Sequence, residues 1–404
     1  MPTRIDAPRV LVDAETEIPD GTVIVKDDRL AWVGSTADAP EVDETIVFEE
    51  GVLMPGLVNA HVHLDLSHLK GKVPYEGEFA DWIHGVARGR RADDAATGIP
   101  AALRESMARG TTCFGDVVTT RHFDPVVEAF AETGARGRLF IEAIGFKPDD
   151  ADEVFDRVWE HMEMRAVPDN VQTGVSPHAP YTVSRPLLNR LISVAEGHER
   201  PVAIHVGESL EELAFLRHGI GPFREMLRSY EMDDPEFEPE GSVEKFVEHL
   251  AMSKAPLLIV HANYMRPRTI PGGAFVVYCP TAHAFFRHPE HPVMELLQEG
   301  VRVALGSDSA ASGESVDLLT ETQYLARERT DLPAKTVFRM ATEWGARALA
   351  LDTGSLHVGK FADLAVFTPD LGLGTLGAAD AECLFTMVGG NVVHGPPANS
   401  PSAS

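Results

Sequence analysis

Eight short apolar runs, most of them ending in polar or ionisable residues and separated by longer amphipathic segments, constrain this chain more than any other feature. They are Val58–Leu66, Thr111–Val118, Arg138–Phe146, Val171–Ser176, Pro201–Val206, Leu257–Asn263, Ala274–Pro280 and Val301–Ser307. Candidate helices fall between them, among them Ala151–Ala166, Arg185–Glu196, Val243–Met252 and Val293–Glu299. Such alternation predicts a parallel sheet covered by helices. The span from Val58 to Ser309 is about 250 residues, the usual size of a (β/α)8 barrel. An open doubly wound sheet is the rival. No Gly-x-Gly-x-x-Gly turn follows the first run, and polar residues collect at the C-terminal ends of the runs, where a barrel builds its active site. The expected fold class is therefore α/β, a (β/α)8 TIM-like barrel.

The two ends of the chain read differently. Thr22–Val25 and Leu30–Val33 are strand-like and joined by a polar turn. Ala362–Phe367, Phe385–Val388 and Asn391–Val393 repeat the pattern near the other end. We expect a small composite β-sandwich domain from residues 1–55 and 355–395, around a barrel at 56–354. Residues 396–404 are rich in Pro and Ser and are expected to be a disordered tail.

Composition narrows the function classes. The net charge of -27 argues against a nucleic-acid partner, which would need clustered Lys and Arg. No apolar run reaches the length of a membrane span, so no membrane partner is expected. Cys113, Cys279 and Cys383 are isolated and odd in number, which fits a reducing, cytoplasmic compartment. The acidic stretch Glu231–Glu240 reads as a solvated excursion.

The chemistry sits at the ends of the runs. His61 and His63 close the first and, two apart on a strand, project from the same side. With 17 His in 404 residues, a His-x-His pair is expected about 0.7 times by chance, so the pair alone means little. Asp116, Glu142, His178, His205, Glu208, His261, His283 and Asp308 stand at or just beyond later run ends. His61, His63, His205 and Asp308 offer three imidazoles and a carboxylate to a single divalent metal ion, Zn²⁺ first, with Fe²⁺ or Mn²⁺ as alternatives. His161, His198, His218, His249, His357 and His394 have no such placement.

Pro55-Gly56-Leu57-Val58-Asn59-Ala60-His61-Val62-His63, His205-Val206-Gly207-Glu208-Ser209, Val260-His261-Ala262-Asn263 and Gly306-Ser307-Asp308-Ser309 occur in an order that resembles the amidohydrolase superfamily, in its branch of mononuclear metal-dependent deaminases. Gly359-Lys360-Phe361-Ala362-Asp363-Leu364 is similar to part of that superfamily's composite sandwich. The resemblance implies metal ligands at His61, His63, His205 and Asp308, with Glu208 shuttling protons and His261 holding the attacking water. It also implies that Asp308 assists in proton transfer. No lysine ends the fourth run, where binuclear relatives carry a bridging one.

A finer resemblance, to aminodeoxyfutalosine deaminases and their relatives, rests on Ser176–Tyr181, Glu208–Leu213, Tyr278–Phe286 and Gly77–Ile83. It implies deamination of a purine-like nucleoside or base, 6-amino-6-deoxyfutalosine among the candidates, by metal-activated water with release of ammonia. His178, Trp82 and His283 are the expected substrate contacts, each with a competing packing role, and Asp65 is expected to be structural. Hydrolysis of a cyclic amide, or displacement of chloride from a triazine, is the alternative on the same metal site. Retention of all four ligands with Glu208 and His261 argues against a silent scaffold. A small-molecule substrate is the expected partner, and a homodimer is left open.

Overall fold

The computed structural model describes residues 1–91, 95–313 and 315–396. Two eight-stranded sheets organise it. The first is built from β1 (Thr3–Leu11), β2 (Glu17–Lys26), β3 (Arg29–Ser35), β4 (Glu44–Val47) and β5 (Val52–Pro55), together with β14 (Leu364–Thr368), β15 (Glu382–Val388) and β16 (Asn391–His394). The second contains β6 (Leu57–Val62), β7 (Thr111–Thr119), β8 (Arg136–Ala143), β9 (Val171–Pro177), β10 (Val202–Val206), β11 (Leu257–His261), β12 (Phe275–Tyr278) and β13 (Arg302–Leu305). These eight run parallel in chain order, with helices between them.

The parallel sheet closes by backbone contact between its first and last members. Val62 and Asp308 form an isolated parallel bridge. The His61 carbonyl accepts from the N–H groups of Ser307 at 3.0 Å and Asp308 at 3.1 Å, and His63 N–H donates to the Asp308 carbonyl at 3.3 Å. Glycine at 306 is required for this approach, because a β-carbon there would stand 2.9 Å from both Cβ and O of His61. Asn59 fastens the same seam with its amide: Nδ2 donates to Ser307 Oγ at 2.7 Å and to the Val316 carbonyl at 3.0 Å, and Oδ1 accepts from Ser307 N–H at 3.2 Å.

The barrel interior is packed by Val58, Cys113, Phe140, Ala203, Val260 and Ala304, with Leu349 beneath them, all buried. Every residue of β6 is buried, as expected for a strand covered on both faces. The four candidate helices are present with shifted ends: Ala151–Trp159, Arg185–Gly197, Val243–Leu250 and Val293–Gln298. No helix among the described residues is long and apolar enough to cross a membrane. The expected disordered tail lies, from residue 397 on, outside the described residues.

The chain-end sheet contains a strand that sequence patterning misses. β1 pairs with β2, β4 and β5 despite Pro8, which cannot donate to the ladder. Pro8 stands opposite the Pro19–Gly21 stretch, where Asp20 adopts a φ of 45°, and the ladder skips that pair. The acidic stretch is also more anchored than expected. Phe237 packs on Phe146 and stacks on Phe215 at 5.1 Å, and Asp233 pairs with Arg228 at 3.1 Å.

One buried ion pair joins the two sheets. Arg136 at the start of β8 donates to Asp363 at 2.5 and 3.1 Å, both side chains being almost fully buried, and Gly389 N–H donates to the same carboxylate at 2.9 Å. The Arg136 and Arg29 guanidinium groups stack on Phe361, 3.5 and 3.6 Å from its centroid. Removing one partner of such a pair strands a buried charge. Arg136→Met is expected to lose about 3–5 kcal/mol of unfolding free energy, and Arg136→Met with Asp363→Leu to recover most of it. Denaturant titration of the two variants checks this, and additive losses would contradict it.

Candidate functional site

The site forms where β6, β10, β11 and the segment after β13 end together. His61 and His63 leave β6 on one side although the strand ends at Val62, because His63 remains extended (φ -119°, ψ 88°) before a turn of 3-10 helix begins at Leu64. His205 is in β10, His261 ends β11, and Asp308 follows β13 at a φ of 58°. His63 Nε2 lies 3.3 Å from His205 Nε2, and Asp308 Oδ1 lies 3.5 Å from His61 Nε2 and 3.8 Å from His63 Nε2. Ligand atoms of His61, His63 and His205 fall within 4.8 Å of one another, as do those of His61, His261 and Asp308.

The donor chemistry fits a divalent metal. His61 Nε2 is buried and makes no hydrogen bond among the described residues, in the midst of the other donors. His205 Nδ1 donates to the His178 carbonyl at 2.7 Å, which leaves the Nε2 lone pair facing the cluster. Asp308 Oδ2 accepts from Ser312 Oγ at 2.6 Å, leaving Oδ1 toward the imidazoles. Burial, reinforced by neighbouring imidazoles, pushes His63, His205 and His261 well below the usual histidine range, so all three are neutral, as ligation demands.

Glu208 stands beside this cluster, its Oε1 3.3 Å from His261 Nε2. Burial first, and then the charges of Asp308, Glu212 and Glu211, raise its carboxyl well above the ordinary range. Its backbone is held by Glu212, whose two oxygens accept from Gly207 and Glu208 N–H groups at 2.8 Å each. Glu212 belongs to a Ser209-x-x-Glu212 box at the start of helix Leu210–His218, where Ser209 Oγ caps Glu212 N–H at 3.2 Å. That box is readable in the sequence as a helix start, though its reach back to Glu208 is not.

Arg90 joins the site without a sequence signal, since it stands beyond the amphipathic stretch rather than at the end of an apolar run. Its guanidinium holds both oxygens of Asp65 at 2.9 Å, one oxygen of Glu142 at 2.8 Å, and approaches His63 Nδ1 at 3.2 Å. His122 Nδ1 meets Asp65 at 2.9 Å. Asp116 lies alongside, accepting Leu64 N–H at 2.8 Å. Burial raises the Asp116 and Glu142 carboxyls.

The three expected substrate contacts are placed differently from one another. His178 borders a cavity of about 290 Å³ with Ile83, Val86, Thr182, Met226 and Met232, and its ring lies 5.1 Å from that of His205. Burial, with Arg90 and His61 nearby, holds His178 at about 3. Trp82 is 5% exposed and packs among Phe79, Phe285 and Phe286, behind the cavity wall rather than on it. His283 is half-buried on helix Pro280–Phe285, against Tyr278, His288 and His291.

Fold and site together define a parallel barrel with a cluster of donors suited to a divalent metal at its mouth. The profile of the amidohydrolase family matches residues 52–394, and the chain belongs to that family. It is 30% identical over 368 residues to the 5-methylthioadenosine/S-adenosylhomocysteine deaminase of Halobacterium salinarum, covering 86% of this chain and 80% of that one. Among solved structures it resembles the aminofutalosine deaminase of Helicobacter pylori in complex with methylthio-coformycin, with a TM-score of 0.84 and 22% identity over 96% of this chain and 99% of that one. An adenosine deaminase from Xanthomonas campestris with bound zinc superposes at a TM-score of 0.79 and 25% identity, over 97% and 93% of the chains.

The Asp65 network carries a pH signature. Burial alone would raise Asp65, but Arg90 and His122 outweigh it and lower the carboxyl from 3.8 to about 2. The stability this contributes is complete above pH 3.8 and is lost as pH falls toward 2. Wild type is expected to lose about 2 kcal/mol more than Asp65→Asn between pH 5 and 2. Unfolding measured along that acid limb checks it, and parallel curves would contradict it.

Proposed function

We propose that this chain is an aminohydrolase that replaces the 6-amino group of an adenosine-type nucleoside with oxygen, releasing ammonia. The observation that carries the reading is the convergence of His61, His63, His205 and Asp308 next to the Glu208–His261 pair, at the mouth of a barrel whose relatives are nucleoside deaminases. His61, His63, His205 and Asp308 hold one divalent ion, and the imidazole-rich set, with the zinc-bound relative, favours Zn²⁺. When bound, that ion supplies the Lewis acidity that makes water a nucleophile at neutral pH.

The residues divide the remaining work. Glu208 Oε takes a proton from the attacking water and delivers it to a ring nitrogen next to the amino-bearing carbon, which weakens aromaticity there. Burial gives Glu208 the raised proton affinity suited to this exchange. His261 Nε2, 3.3 Å from Glu208, stabilises the oxygen as charge develops on it. Asp308 takes the proton of the added hydroxyl and passes it to the amino group, so that the C–N bond breaks, ammonia leaves and the water's oxygen remains as the ring carbonyl. His178 contacts the heterocycle from the cavity it borders. Trp82 and His283 shape the walls behind, and the apolar side chains of that cavity take the substituent beyond the sugar.

An ammonia-release assay of the Zn²⁺-loaded chain with 5'-deoxyadenosine, methylthioadenosine, S-adenosylhomocysteine and 6-amino-6-deoxyfutalosine tests the reading. At least one is expected to turn over. Ring opening of a cyclic amide, or chloride release from a triazine, without ammonia from any aminopurine would contradict it. Glu208→Gln is expected to keep the metal and lose at least about 10²-fold in kcat, in line with loss of a general acid-base group. Undiminished turnover by Glu208→Gln would remove it from the proton path.

A further inference from the structure

His261 occupies an unfavourable backbone conformation. Its φ is 73°, and Ala262 N–H reaches back to the Val260 carbonyl at 3.2 Å, which makes His261 the centre of the rare γ-turn with positive φ. Ala262 follows at a φ of 55°. A residue with a β-carbon avoids this region unless its surroundings impose it. The turn is what brings the imidazole at the end of β11 to within 3.3 Å of Glu208.

Two contacts hold the turn: Ala262 N–H also donates to the Val206 carbonyl of β10 at 3.1 Å, and the other comes from a distant segment. His291, 2% exposed, donates Nε2–H to the His261 carbonyl at 2.8 Å. Its ring stacks on Tyr278 at the end of β12, 3.9 Å between centroids and 15° from parallel. Its own carbonyl accepts from Arg329 at 3.2 Å, and Arg329 is fixed by Asp331 at 2.8 Å. A carbonyl can only accept, so the proton of neutral His291 is on Nε2 and Nδ1 is left as an acceptor. That Nδ1 is buried and makes no hydrogen bond among the described residues. A role in packing alone would be met more cheaply by an apolar ring that strands no nitrogen.

We propose that His291 is a positioning residue for the reaction: its Nε2–H locks the His261 peptide in the left-handed turn and so aims the His261 ring at Glu208 and the reacting oxygen. The kinetic consequence rests on the function proposed above, whereas the structural consequence does not. His291 lies in Arg287-His288-Pro289-Glu290-His291, where clustered histidines hide the one that bears on the site.

Two substitutions separate positioning from packing. His291→Phe keeps an aromatic ring on Tyr278 and removes the donor, and His291→Gln keeps a side-chain N–H at similar reach. In zinc-loaded protein, His291→Phe is expected to lose about tenfold or more in kcat with KM within about twofold and zinc content unchanged, and His291→Gln to recover most of the loss. Crystal structures of the same zinc-loaded variants give a readout independent of turnover. In His291→Phe the His261 φ leaves the positive region and the His261–Glu208 distance exceeds 3.3 Å, while in His291→Gln both are kept.

Wild-type kcat in His291→Phe with the turn unchanged would overturn the proposal, as would a His291→Gln variant no better than His291→Phe. Should His291→Phe fail to fold, His291→Met, which also lacks the donor, is read the same way. If wild type releases no ammonia from any aminopurine nucleoside, the function proposed above fails, and the crystal structures alone decide the role of His291.

Discussion

The seam between β6 and the segment after β13 is the contact on which the site depends. Closing a parallel barrel brings its first and last strands together, and here the closing hydrogen bonds run through the residues proposed to hold the metal. The His61 carbonyl accepts from Ser307 and Asp308, and His63 donates to Asp308. The same backbone bonds that remove the sheet edges therefore place His61, His63 and Asp308 side by side. His205 joins them from across the mouth, its orientation set by the His178 carbonyl. Gly306 and Asn59 serve the seam, one by having no side chain and the other by satisfying three groups with one amide.

Charge around the mouth is arranged with unequal compensation. Asp65, Asp116 and Glu142 are all buried near one guanidinium, that of Arg90. Asp65, which takes both sides of the guanidinium fork, is held as an anion, while burial favours the protonated form of Asp116 and Glu142. On the other side of the mouth burial and neighbouring imidazoles push His205 and His261 well below the usual histidine range. Glu208 lies where these regions meet, with no guanidinium beside it. Its backbone is fastened by Glu212 and Asn263 and its carboxyl faces His261, so the group proposed to exchange protons is fixed in place without being locked in its charged form.

Much of this was legible in the sequence because a polar residue that ends a buried parallel strand is expensive unless it has work to do. His61, His63, His205, His261 and Asp308 stood out on that ground, and the structure brings all five together. The eight runs became eight barrel strands because short apolar stretches with covering helices have few other solutions. What remained illegible depended on contacts between segments far apart in the chain. Arg90 does not end an apolar run, and only the fold of helix Phe79–Gly89 carries it over Asp65. Pro8 hid β1, because its compatibility depends on the irregular φ of Asp20 in the facing strand. Trp82 at helical spacing from Phe79 is compatible with facing either substrate or core, and only the aromatic side chains Phe285 and Phe286, at the end of the distant helix Pro280–Phe285, decide that it packs.

The central claim is that this seam assembles a site for one divalent ion. It is tested most directly by the metal content of the purified, exhaustively dialysed chain, measured by inductively coupled plasma mass spectrometry beside an Asp308→Ala variant. The account predicts close to one equivalent of transition metal per chain in wild type and its loss in Asp308→Ala. A wild-type chain that retains no metal, or that binds two equivalents, would contradict it.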